Sequence, residues 1–231
     1  MIKFVTNSKI NKNMKKIILA SFVLVSLISC KKEPSGNKDV LPAEDVTPQD
    51  SVNSQVDTIQ VAALIDDDGN YIYDVGTFLD INLPDGTVIN VGSNSTESKL
   101  YKMLSDDTFK VSDDKTQGWI TLDGVTFAKG SASLKDSSKR QIDNIAAILK
   151  AYPNAKVKFG GYTDNTGSAE ANQKISAERA EAVMNAVIGD GIAADRLSAE
   201  GYGPEHPVCP ANDTDVCKAQ NRRVDLRVVQ K

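Results

Sequence analysis

The stretch GYTDNTGSAEANQKISAERA, residues 161–180, joins a loop to the first half of a helix, and that helix sets an arginine where its inward face should be. The helix is expected from about Ser168 to Ile188, stopped near Gly189 and Gly191. At 3.6 residues per turn Asn172, Ile175, Arg179, Ala182, Val183 and Ala186 fall on one stripe. A guanidinium buried there without a partner costs several kcal/mol, so a carboxylate must lie near it, from the protein or from a ligand. Asp164 stands in the loop Thr163-Asp164-Asn165-Thr166-Gly167, beside the free N–H groups at the start of the helix. An anion, a cation and amide donors together suit a zwitterion, Asp164 meeting an ammonium and Arg179 gripping a carboxylate through two bonds. The residues alone leave two readings open, a ligand site of this kind or a structural ion pair between Asp164 and Arg179.

Working outward, the chain from Gly118 alternates strand and helix patterns. Trp119–Phe127 (WITLDGVTF) reads as a strand interrupted at Gly124. Leu134–Tyr152 reads as a helix, with Ile142, Ile145, Ala146 and Leu149 on one face and Pro153 ending it. Lys156–Phe159 alternates polar and apolar residues as a half-buried strand does. Ser198–Tyr202 and Arg223–Val229 add two strands, the second with Val224, Leu226 and Val228 on one face. Arg222 shares their parity and so points to the covered face at the strand's mouth. Two helices over one side of a small mixed sheet follow, an α/β two-layer sandwich.

Residues 56–117 form a small β-rich region. Thr77–Leu83 and Thr87–Val91 flank Pro84-Asp85-Gly86, a hairpin signal, and Ser95–Leu104 reads as a short helix. Asp66-Asp67-Asp68-Gly69-Asn70 invites a calcium loop, but the glycine that such a loop needs at its sixth position is Tyr71 here. A turn between two strands is the better reading.

Met14-Lys15-Lys16 followed by the short apolar run Ile17–Ser29 has the pattern of a cleaved export signal over residues 1–29, too short for a permanent span. The alternative is an ordinary secretory signal that happens to contain Cys30. Residues 30–55 are rich in Pro, Ser, Asn, Asp and Lys and are expected to be a disordered tether. About 25 such residues have an r.m.s. span of roughly 25–30 Å. Loss of residues 1–29 removes five lysines and no acid, leaving 22 basic against 31 acidic residues, a formal charge of −9. That balance argues against nucleic acid as a partner. Cys209 and Cys217 form an even pair in an exported chain and read as a disulfide; a two-thiolate metal clip lacks further ligands, since His206 is the single histidine. His206 sits in the loop Gly203-Pro204-Glu205-His206-Pro207, a solvated position.

Two resemblances bear on these residues. Leu27-Ile28-Ser29-Cys30 resembles the lipobox of bacterial lipoproteins, which implies cleavage before Cys30 and acyl chains on it. Gly161–Gly167, Ser176-Ala177-Glu178-Arg179-Ala180, Arg196-Leu197-Ser198, Glu200-Gly201-Tyr202-Gly203 and Asn221-Arg222-Arg223-Val224 resemble the OmpA-like peptidoglycan-binding domain, in the family's order and spacing over residues 118–231. The resemblance implies a βαβαββ domain gripping the diaminopimelate of wall stem peptides. By motif, Asp164 and Arg179 would be the principal ligand residues, with Thr166, Asn172 and Arg222 supporting. Phe127-Ala128 departs from the Phe-Asp found in many members after the first strand. The expected protein is therefore a binder rather than an enzyme, needing no cofactor or metal. Lipid at Cys30 would hold it in the outer membrane, with peptidoglycan as partner to a domain facing the periplasm. The alternative is an envelope scaffold that docks another outer-membrane protein on residues 56–114.

Overall fold

The computed structural model describes residues 64–231. The expected export signal, Cys30 and the tether lie outside the described residues, as do residues 56–63.

Strands β1 (Phe78–Asn82) and β2 (Val88–Gly92) pair antiparallel with Ile81 opposite Ile89. The Leu83 N–H donates to the Thr87 carbonyl at 2.8 Å, and Gly86 turns the chain at φ 88°. Helix α1 (Thr96–Ser105) follows at once because Ser95 caps it, its hydroxyl accepting the Ser98 N–H at 3.3 Å. The expected hairpin and helix are both present. The Asp66–Asn70 turn joins Ile65 and Tyr71, which form an isolated antiparallel bridge.

The main sheet has four strands in the order β3 (Trp119–Thr121), β6 (Val224–Gln230), β4 (Lys156–Gly161), β5 (Leu197–Gly201). β4 and β5 run parallel, and the β6 pairings are antiparallel. Helices α2 (Lys139–Ala151) and α3 (Ala169–Gly189) supply the second layer. Ile145, Leu149, Val157, Phe159, Val183 and Leu226 are sealed between the layers. The α/β sandwich expected from the strand and helix order is the one observed. Leu83, Ile89, Val91, Leu100 and Leu104 belong to that same buried cluster, so the N-terminal hairpin and α1 share one core with the sheet.

The fold departs from expectation at two element boundaries, adds one short helix and shifts the buried stripe of α3. The strand expected over Trp119–Phe127 keeps ladder pairing only to Thr121, with the Leu122 N–H still reaching the Val224 carbonyl. Asp123 then turns away to accept the Thr96 N–H at 2.8 Å, which caps α1 and takes the chain off the sheet. The helix expected from Leu134 begins at Lys139 after a 3-10 turn at Asp136–Ser138. Ser138 sets this start: its hydroxyl accepts the Thr126 N–H at 2.9 Å and donates to the Thr126 carbonyl at 3.0 Å. A short helix α4 (Asp215–Asn221), capped by Thr214, carries no periodic apolar face and was not expected.

The buried stripe of α3 is centred on Asn172, Ser176, Arg179, Ala180, Val183 and Val187, while Ile175, Ala182 and Ala186 are only half-buried. Glycines under the helix explain the rotation. A Cβ on Gly161 would lie 2.0 Å from the Ser176 carbonyl oxygen, and one on Gly201 would lie 2.4 Å from the Ala177 nitrogen. The helix thus rests directly on strand backbone. Gly161→Ala is expected to destabilise the fold by about 1–3 kcal/mol or more, because backbone on both sides must move apart. Urea denaturation with an unchanged midpoint would contradict this packing.

Candidate functional site

Asp164 is positioned by backbone that extends the sheet past the end of β4. The Tyr162 N–H donates to the Arg223 carbonyl at 2.9 Å and the Thr163 N–H to the Gly203 carbonyl at 2.8 Å. These bonds deliver Asp164 to the mouth of the sheet with 7% of its surface exposed. Its Oδ1 accepts the Thr166 N–H at 2.8 Å and its Oδ2 accepts from Arg222 Nη1 at 2.5 Å. Burial opposes ionisation of this carboxyl, but the Arg222 guanidinium and the Thr166 N–H outweigh it and hold the group below the usual carboxylate range. Arg222 is held from its other end as well, Nη2 donating to the Gly69 carbonyl at 2.6 Å.

Arg179 lies on the buried stripe of α3, 8% exposed. Its Nε donates to the Ser131 carbonyl at 3.0 Å, and its guanidinium carbon sits 5.2 Å from the centre of the Phe127 ring. Burial lowers its pKa and the like charge of Arg222 adds to that, against the attraction of Asp164. An arginine remains a cation even so. Among the described residues it has no ion-pair partner: Asp164 is bound by Arg222. The alternative of a structural Asp164–Arg179 bridge is thereby replaced by an Asp164–Arg222 bridge, which leaves Arg179 held by one carbonyl and one ring.

Of the residues singled out in the sequence, Asp164, Thr166 and Arg222 are joined by hydrogen bonds. Arg179 is near enough for both Asp164 and Arg222 to perturb it. Asn172 is buried at 7% exposure in the first turn of α3; its Oδ1 is 4.0 Å from where a Cβ on Gly167 would stand, at the loop that carries Asp164. Ser131 and Gly69, which help to hold the two arginines, have no periodicity or motif that points to the site. Phe127 is marked in sequence only through the resemblance, as the first residue of the Phe127-Ala128 departure, which does not place it beneath Arg179.

Cys209 and Cys217 are joined as a disulfide with Cα atoms 5.3 Å apart, so the metal-clip alternative is set aside. The bridge ties the His206–Asn212 loop to α4 ahead of Arg222, and Asn221 adds to it, its side chain bonding both the N–H and the carbonyl of Cys209. Replacing both cysteines with serine is expected to lower stability by about 2.5 kcal/mol through loss of the closed loop. Chemical denaturation of the double variant beside the oxidised parent measures the difference directly.

Part of the chain is similar to known proteins. Residues 126–222 match the OmpA family. The probable lipoprotein YiaD of Escherichia coli is 41% identical over 102 residues, 44% of this chain and 46% of that protein. The peptidoglycan-binding protein ArfA of Mycobacterium tuberculosis is 37% identical over 109 residues, 47% of this chain and 33% of that protein. The chain thus spans less than half the length of these curated relatives. The solved peptidoglycan-associated lipoprotein from Burkholderia pseudomallei is similar over 45% of this chain and 87% of that one, at 33% identity and a TM-score of 0.43. The likeness to the OmpA family thus covers residues 126–222, under half of this chain.

Proposed function

We propose that this protein binds peptidoglycan without cleaving it, gripping the diaminopimelate of uncrosslinked stem peptides, and that acyl chains on Cys30 make the same molecule a strap between outer membrane and cell wall. The observation that carries the reading is Arg179, a buried cation with no ion-pair partner among the described residues. A ligand carboxylate would supply its counter-ion. The ligand ammonium would sit at Asp164, whose oxygens are oriented by Arg222 and Thr166 and keep lone pairs free. Thr166 and Asn172 would line the rim between the two charges. A protein carrying the name peptidoglycan-binding is among the relatives, which supports the ligand class.

One amino-acid headgroup offers few atoms, so single-site affinity is modest. A wall with many stem peptides facing a membrane with many copies of the strap supplies avidity instead. The second reading, a scaffold for another envelope protein, draws on Phe78, Leu79 and Val88, all exposed on the β1–β2 hairpin. Those side chains are not among the groups bonded to Asp164 or Arg179, so the two readings do not exclude each other.

Asp164→Ala and Arg179→Ala are each expected to weaken binding to isolated peptidoglycan by about 2–5 kcal/mol, since each leaves an opposite charge unpaired. Pull-down of both variants at the level of the parent would reject the assignment. The pH dependence follows from Asp164. Its carboxyl in the folded protein titrates below the ordinary value of 3.8, so its charge is fully present above that value and is lost as pH falls through the depressed one. Binding of diaminopimelate measured by calorimetry should therefore be level from neutral pH down to about pH 5 and fall only in stronger acid.

A further inference from the structure

The five residues Asp66–Asn70 precede the OmpA-family match yet reach both cationic arms of the candidate site. The turn is rigid in its own right. Asp66 Oδ1 accepts the N–H groups of Asp68 and Asn70 at 3.0 and 2.8 Å, and the Gly69 N–H donates to the Asp66 carbonyl at 2.9 Å. Gly69 adopts φ 83°, a conformation that glycine takes without strain, and its carbonyl meets Arg222 Nη2 at 2.6 Å. Arg222 is therefore fixed at both tips of its fork, by Asp164 on one side and by the turn on the other.

The second arm is reached through Asn70. Its Nδ2 donates to the Phe127 carbonyl at 3.1 Å and its Oδ1 accepts the Phe127 N–H at 3.1 Å, as a paired strand residue would. Phe127 is the ring beneath Arg179, and Ser131 on the same loop accepts its Nε. The far end of that loop is clamped too: Lys135 Nζ lies 3.2 Å from Asp66 Oδ2 and 2.5 Å from Asp68 Oδ2. The acidic run that resembles a calcium loop thus has a lysine ammonium as its cation.

We propose that the Asp66–Asn70 turn is a positioning element of the binding site, setting Arg222 through the Gly69 carbonyl and Arg179 through Asn70 and Phe127. The proposal rests on the reading of these arginines as ligand groups. It means that the OmpA-family segment of this chain carries the charges while the preceding segment sets their geometry. Two charges that must meet one small zwitterion are sensitive to displacements well under the size of the ligand.

Calorimetry with meso-diaminopimelate on the full chain tests it. Asn70→Ala is expected to weaken binding about tenfold or more, the scale on which misplacement of a positioned group is felt. Gly69→Ala, which adds a Cβ 3.2 Å from Arg222 Nη2 at a positive φ, is expected to do likewise and serves if the first variant does not fold. A purely structural turn would be told apart by a double-mutant cycle: if the turn acts through Arg222, Gly69→Ala should cost much less in an Arg222→Lys background than alone. Losses that add, or turn variants that bind as tightly as the parent, would overturn the proposal while leaving the ligand reading intact. A parent protein that does not bind the compound would remove both.

Discussion

Helix α3 seats against the backbone of β4 and β5, and the arrangement of the site depends on that close approach. Gly161 and Gly201 leave no side chain between strand and helix, so Ser176 and Ala177 rest almost on the peptide planes. The same contact fixes the rotation of the helix. Arg179, three residues past Ser176 on the buried side, is carried inward over Phe127, and the loop leaving β4 brings Asp164 in beside it. A larger residue at either glycine would lift the helix and separate the two charges before any ligand was involved.

Charge is distributed unevenly around this contact. Buried charges on the sheet's other face pair with one another: Arg223 meets Asp225 at 3.0 Å and lies over the Tyr162 ring at 3.9 Å, though its Nη1 has no hydrogen-bond partner. Burial pushes the Asp225 carboxyl up despite that guanidinium, and it pushes the Tyr162 phenol up as well. Arg227 is spent on the carbonyls of Gln117, Ser112 and Asp114. Arg196 similarly closes the end of α2, donating to the carbonyls of Leu149, Tyr152 and Ala155. Against these, Arg179 has a single carbonyl and a ring. Buried ion pairs are weak evidence of stabilisation, and a buried cation short of an anion is the feature on which the proposed ligand reading rests.

The region before the family match is part of this economy rather than an appendage. Its hairpin and α1 contribute Ile89, Val91, Leu100 and Leu104 to the common core, and its first turn holds Arg222 and Phe127. Asp123, between the two regions, accepts from Thr96 and from Gln141, which also reaches Glu97, so a polar junction sits where the apolar core gives way. Burial raises the Asp123 carboxyl in that junction.

By itself the sequence determined the layer architecture, because period-two strands and 3.6-period helices such as Lys156–Phe159 and Ile142–Leu149 announce their faces locally. It also determined which side chains are candidates for the site, since an arginine on the inward stripe of a helix and an aspartate at a helix start are anomalies visible without any fold. Boundaries at Asp123 and Ser138 were not legible, because each is set by a side-chain bond to a residue outside its own strand or helix, Thr96 and Thr126. Only the tertiary structure decided that Asp164 pairs with Arg222 instead of Arg179, and that Gly69 and Asn70 reach the site at all. Those are matters of distance between segments separated by 58 and 153 residues, which no local pattern of spacing encodes.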